Sequence, residues 1–157
     1  MKPLFGATRW GLLPVAGSAA ARFGLLHVDD LVEAILLWLE AGSPPGGVYE
    51  LDDGMPGGYD ARRVAEIAAG VWKHPVYLLP LPVILVRMVA GINLRLSHLL
   101  HYSPMLTPGK LRELLHPDWV CDNTALTGAL GWKPTRTLSD ELPTAVLPVD
   151  DSRSGGL

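Results

Sequence analysis

Phe23-Gly24-Leu25-Leu26-His27-Val28-Asp29-Asp30-Leu31-Val32-Glu33-Ala34 is the stretch on which the fold turns. Its first half, residues 23–28, is a short apolar run of the kind that forms a buried strand. Its second half places two aspartates where a helix N-cap belongs, and helical propensity is high over residues 31–41. Read as a cap, Asp30 accepts hydrogen bonds from free N–H groups at the helix start. His27 and Asp29 stand at i and i+2, so on an extended strand they share a face and can meet. A strand that runs directly into a helix is an α/β signal.

Outward from this stretch the same alternation continues. Residues 1–17 are rich in Gly and Pro, and Leu13-Pro14-Val15-Ala16-Gly17 is turn-prone. Gly42-Ser43-Pro44-Pro45-Gly46-Gly47 ends the first helix, residues 48–51 alternate as a strand does, and Asp52-Asp53-Gly54 turns the chain. Asp60 caps a helix over 61–72, in which Val64, Ile67, Ala68 and Val71 share one face. A strand over 76–79 follows His74-Pro75, and Pro82 opens a long apolar helix over 82–101. Thr107-Pro108 is a cap and first turn for a helix to residue 115, and residues 119–121 form a short strand. Asp122 then caps a helix that runs to residue 130 and stops at Gly131. The fold class is α/β, with strands too few and short for a complete doubly wound sheet. Residues 1–149 form one unit, and residues 150–157 are a disordered tail.

Composition narrows the function. Of 157 residues, 48% are hydrophobic and 18% charged, which suits a packed domain and argues against disorder. A net charge of −3, with Lys and Arg scattered, gives no footprint for nucleic acid. The single cysteine, Cys121, excludes an internal disulfide and suits a reducing, cytoplasmic setting. Residues 80–100 are the most membrane-like stretch, but Arg87 and Arg95 interrupt it. No transmembrane span is expected, while an amphipathic surface helix is compatible. His98, His101 and His116 lack a zinc-ligand spacing, so no metal site is assigned. No Ser or Cys sits in a nucleophile motif, which removes a hydrolase.

Three blocks in order carry a family resemblance. Phe23-Gly-Leu-Leu-His-Val-Asp-Asp-Leu-Val-Glu-Ala resembles the strand-to-helix junction of the extended short-chain dehydrogenases, the NAD(P)-dependent epimerase/dehydratase type. Gly47-Val-Tyr-Glu-Leu-Asp-Asp-Gly looks like the strand that follows there. Asp122 to Asp140, with Leu130-Gly131-Trp132-Lys133-Pro134 inside it, resembles the terminal signature, and Leu138 begins the last helix. The resemblance covers roughly residues 11–142 and implies the C-terminal, substrate-binding segment of a partial Rossmann-type fold.

The cofactor half of that family does not show in this sequence. A Gly-x-x-Gly-x-x-Gly turn after a first strand is absent, and Gly54, Gly57 and Gly58 read as a loop. No tyrosine has a lysine four residues on: Asp53, Arg63, Leu81 and Leu106 follow Tyr49, Tyr59, Tyr77 and Tyr102 at that spacing. The resemblance therefore implies NAD or NADP for the complete fold, no cofactor bound by this chain alone, and no catalytic residue within it. A nucleotide-binding half, missing here or separately encoded, is the implied partner. The substrate is a small molecule, either a nucleotide-sugar or an apolar alcohol or ketone. By position in the family pattern, Arg112 and Arg22 are candidates for substrate binding, and His27 joins them through its place in the junction.

The helix over 82–101 has two readings: it covers the sheet, or it lines a pocket for an apolar substrate. Two other functions stand beside the substrate lobe. One is a free-standing interaction module that binds a partner or a membrane surface through this helix. The other is a ligand binder that keeps the pocket without redox chemistry.

Overall fold

The computed structural model describes residues 5–42, 46–100 and 107–146. The expected tail at 150–157, the prolines at 44–45 and the last residue of the 82–101 helix lie outside them.

Two pairs of parallel strands organise the chain. β1 (Leu12–Ala16) lies beside β3 (Tyr77–Leu81), with Leu12 opposite Tyr77 and Ala16 opposite Leu81. β2 (Arg22–Phe23) lies beside β4 (Asp118–Trp119), with Arg22 opposite Asp118. Parallel neighbours need long crossovers, and here the crossovers are helical. α1 (Val28–Glu40) and α2 (Ala61–Trp72) separate β2 from β3 in sequence. α3 (Val83–Leu100) and α4 (Pro108–Leu114) lead on to β4, and α5 (Thr124–Leu130) and α6 (Leu138–Val146) close the chain. The α/β class expected from the sequence holds.

Local chemistry explains most boundaries. The Asp60 carboxylate accepts from the Arg63 N–H at 2.8 Å, which caps α2 as expected. Thr107 does the same for α4 through the Lys110 N–H, with Pro108 in the first turn. α5 ends at Gly131, whose φ of +68° is the left-handed conformation that glycine accepts at a helix C-terminus. Leu138 opens the last helix.

Other expectations need correction. The turn-prone stretch 13–17 is the body of β1, since a proline is tolerated where its missing N–H meets no ladder partner. Residues 48–51 form no strand. Tyr49 and Leu51 alternate inward and pack against α1 and α5. The expected strand over 23–28 shrinks to Arg22–Phe23, the length that pairs with Asp118–Trp119, and α1 starts three residues earlier than expected. His27, rather than Asp30, caps α1, with its Nδ1 accepting from the Asp29 N–H at 3.2 Å. His27 and Asp29 meet through that turn and not across a strand face. At α5 the cap position falls on Asn123, although Asp122 still accepts from the Thr124 N–H at 2.8 Å.

Asp30 instead ties α1 to the far end of the chain. Its side chain is fully buried in the first turn. One carboxylate oxygen accepts from the Thr135 N–H (3.1 Å) and the Arg136 N–H (3.0 Å). The other accepts from the Thr135 hydroxyl (2.8 Å) and the Arg136 Nη1 (2.9 Å). Its backbone carbonyl accepts from the Trp132 indole N–H at 3.2 Å. Around this tie, Ala34, Leu126 and Trp132 form one apolar cluster. A second cluster joins Phe5, Leu13, Tyr59, Val64, Ala68 and Leu142, so α2 packs with its expected face against β1 and α6.

Asp30 and Asp60 are both helix-start aspartates, yet their substitutions should differ. Asp30→Ala leaves the Thr135 and Arg136 N–H groups and the Thr135 hydroxyl without their acceptor, with the Arg136 guanidinium left to Asp29, and should cost on the order of 3 kcal/mol. Asp60→Ala loses a cap and should cost about 1 kcal/mol. Urea melts check this, and equal midpoints would contradict the assignment.

Acid should remove the Asp30 contribution in a defined direction. Burial raises its carboxyl, and the four donors outweigh burial and hold it below the ordinary 3.8. A carboxyl held low when folded stabilises above the unfolded value, so the effect is complete at neutral pH. It declines as pH falls through 3.8 and is gone below the folded value. The stability gap between wild type and Asp30→Asn should close over that range, and a gap constant with pH would refute it.

Candidate substrate-binding site

Six elements turn apolar side chains toward a common hollow of about 260 Å³. Leu13 comes from β1, Phe23 from β2, Val64 from α2, Leu81 from β3, Val86 from α3 and Leu114 from α4. Successive strand residues face opposite ways, and Arg22, next to Phe23, lines a separate cleft. Ser18 is the single hydroxyl side chain in the wall, and its Oγ accepts from the Ala20 N–H at 3.2 Å. Among the described residues no titratable side chain lines the hollow. An apolar wall of this kind suits hydrocarbon. It is smaller than the roughly 300–1,000 Å³ of drug-sized sites.

Phe5 is a wall of this hollow and also of a smaller cleft of about 160 Å³ that contains His27. There the His27 Nε2 lies 3.5 Å from a Glu141 carboxylate oxygen, and Asp53 and Arg136 complete the polar side. Asp53 accepts from the Tyr59 hydroxyl, and that hydroxyl accepts from the Leu138 N–H at 3.4 Å. Burial pushes the Asp53 carboxyl up, against the hydrogen bonds it receives. Burial and the bond to Asp53 push the Tyr59 hydroxyl far above its usual range. Tyr59 is thus a fixed donor that joins the start of α6 to the core. Its distance of six residues from Asp53 matches no motif, so the pair was not legible in the sequence.

The three residues assigned from the sequence do not converge. Arg22 pairs with Asp118 across the β2–β4 ladder and lines a cleft with Asp60, Arg62 and Arg63. His27 lies in the cleft described above. Arg112 is exposed in the last turn of α4, where a cation suits the carbonyl end of the helix. It lines neither the hollow nor the His27 cleft.

A larger hollow of about 540 Å³ opens beside Asp52, Cys121 and Asn123. Its polar groups satisfy one another: the Asp52 N–H donates to Asn123 Oδ1 at 2.8 Å, and Asn123 Nδ2 donates back to the Asp52 carbonyl at 3.0 Å. Burial and the nearby carboxylates of Glu50 and Asp52 push the Cys121 thiol up, which suppresses its thiolate.

The glycines at 54, 57 and 58 do not form a dinucleotide turn. Gly58 has a φ of +69°, and a Cβ there would lie 2.6 Å from Val120 Cγ2 and 2.9 Å from the Phe23 carbonyl. That glycine lets the loop pack against β2 and β4, so it is no phosphate cradle. The described residues also hold no cluster of metal-ligating side chains. No described helix is long and apolar enough to cross a membrane.

No family model matches the sequence. Over 113 residues the chain is 30% identical to a ceramide reductase of Caulobacter vibrioides (strain NA1000 / CB15N), a match that covers 72% of this chain and 35% of the reductase. The chain thus spans about a third of that relative's length. In structure it resembles RMD from Pseudomonas aeruginosa, solved in complex with NADPH, with a TM-score of 0.54 at 18% identity. That likeness covers 90% of this chain and 38% of RMD. The chain therefore shares its fold with part of an NADPH-binding protein, and its sequence with part of a reductase.

Proposed function

We propose that this chain is the substrate-binding lobe of an NAD(P)-dependent reductase of the extended short-chain dehydrogenase type. Its apolar hollow takes part of the hydrocarbon chain of a lipid alcohol or ketone. The observation that carries this reading is the hollow itself, built by six elements and lined by no titratable group among the described residues. The match to a ceramide reductase supports the lipid class, because ceramide carries long hydrocarbon chains. Among the substrate classes expected from the sequence, a nucleotide-sugar gains no support from such a wall. Arg22, His27 and Arg112 are then the candidates for polar contact with the substrate headgroup. His27 is the best placed of them, since its cleft shares Phe5 with the hollow.

In this reading the chain alone is catalytically silent in the cytoplasm, and a nucleotide-binding half supplies the cofactor and the proton-transfer pair. α1 supports such a partner. Ala34 packs inward, while Val28, Val32, Ile35 and Leu39 form an exposed apolar stripe at helical spacing. Monomers seldom leave such patches open.

The purified chain should bind a fluorescent ceramide that unlabelled ceramide displaces. Ala61→Phe, which fills the wall of the hollow, should weaken this binding roughly tenfold, or about 1.4 kcal/mol. NADPH should show no binding tighter than about 100 μM to the chain alone. Ceramide binding unaffected by Ala61→Phe, or tight NADPH binding, would refute the reading.

A further inference from the structure

α3 packs by one face only. Ala90 and Ser97 are buried on that face, and Val86 lines the hollow beside them. With about 100° per residue, Ile84, Leu85, Met88, Val89, Ile92 and Leu96 fall on the opposite side of the helix. All six are exposed, Ile84 at 68% and Ile92 at 60%, which makes an apolar stripe some four turns long.

Charge gives this stripe a direction. The 18 residues of α3 include no Asp or Glu, and their formal charges are Arg87 and Arg95. Arg87 borders the stripe and Arg95 falls within it, between Ile84 and Met88; both are exposed, and neither forms an ion pair with a described residue. The chain as a whole carries −3, so α3 is a basic, apolar strip on an acidic molecule. A protein interface of mixed charge would not need that segregation. An exposed apolar face with cations and no acidic residue suits a helix that lies in a bilayer surface, with its carbon side among acyl chains and its long guanidinium side chains reaching up to the phosphates.

We infer that α3 docks this chain onto an anionic lipid bilayer through Ile84, Met88, Val89 and Ile92, with Arg87 and Arg95 at the headgroups. The docking stands on the geometry of α3. Its use rests on the reading above: Val86 on the inner side lines the hollow, so one helix separates membrane lipid from the substrate cavity.

The test is sedimentation of the full 157-residue chain with vesicles of phosphatidylcholine plus phosphatidylglycerol, against phosphatidylcholine alone. Wild type should pellet with the anionic vesicles. Met88→Glu/Ile92→Glu should reduce binding about tenfold, and Arg87→Gln/Arg95→Gln should abolish the preference for anionic lipid, as salt should also do. Val32→Glu/Ile35→Glu, on the stripe of α1, should leave vesicle binding unchanged. Circular dichroism of each variant should match wild type, since every substituted side chain is exposed. Wild type left in the supernatant would overturn the inference, as would Met88→Glu/Ile92→Glu that pellets like wild type. So would a dimer that these substitutions dissolve while no form binds vesicles, because a second copy would then cover α3. Loss of ceramide competition with vesicle binding intact would sink the substrate reading and leave the docking in place.

Discussion

The buried carboxylate of Asp30 is the constraint on which the rest of the structure depends. A charge taken out of water is expensive unless its lone pairs are filled. Here they are filled by four donors from two consecutive residues more than a hundred positions away. The geometry admits little slack, so it fixes the segment 132–137 against the first turn of α1. Trp132 follows through its indole bond to the Asp30 carbonyl, and Leu138 begins α6 just beyond. With α6 placed, Leu142 closes the cluster that also contains Leu13 and Val64, two walls of the apolar hollow. The hollow is therefore downstream of a polar tie that does not touch it.

This tie also explains why two distant blocks of sequence look alike to one family. The His27-Val28-Asp29-Asp30 junction and the Gly131-Trp132-Lys133-Pro134 block are bonded partners in space. Without those donors the Asp30 carboxylate would be a buried, unpaired charge. The middle block has a lesser role. Tyr49 and Leu51 pack on α1, and Asp52 is held by Asn123 just ahead of α5.

Much of the fold was legible from residue chemistry. α2 reads directly from Asp60 and the spacing of its apolar residues, and α4 from Thr107-Pro108, because capping and periodicity are local. Failures came where the deciding interaction was not local. β1 looked like a turn because Pro14 and Gly17 are turn residues in isolation, and only pairing with β3 makes an extended segment worthwhile. Asp30 looked like a cap because its partners, Thr135 and Arg136, carry no signal of their own. The site was legible only as a substrate region. The apolar helix was visible in sequence, but which face is covered depends on packing against α4 and on the hollow that Val86 lines. Arg22 and Arg112 came from alignment by position, and position alone does not bring side chains to one cleft.

The central claim is that a hydrocarbon chain occupies the hollow between the two strand pairs. Methyl-selective NMR of the chain, titrated with ceramide, tests it most directly. The account predicts shifts at the methyl groups of Leu13, Val64, Leu81, Val86 and Leu114, which line the hollow. Shifts absent from those methyls, or found only at Thr124 and Thr127 beside the larger polar cleft, would contradict it.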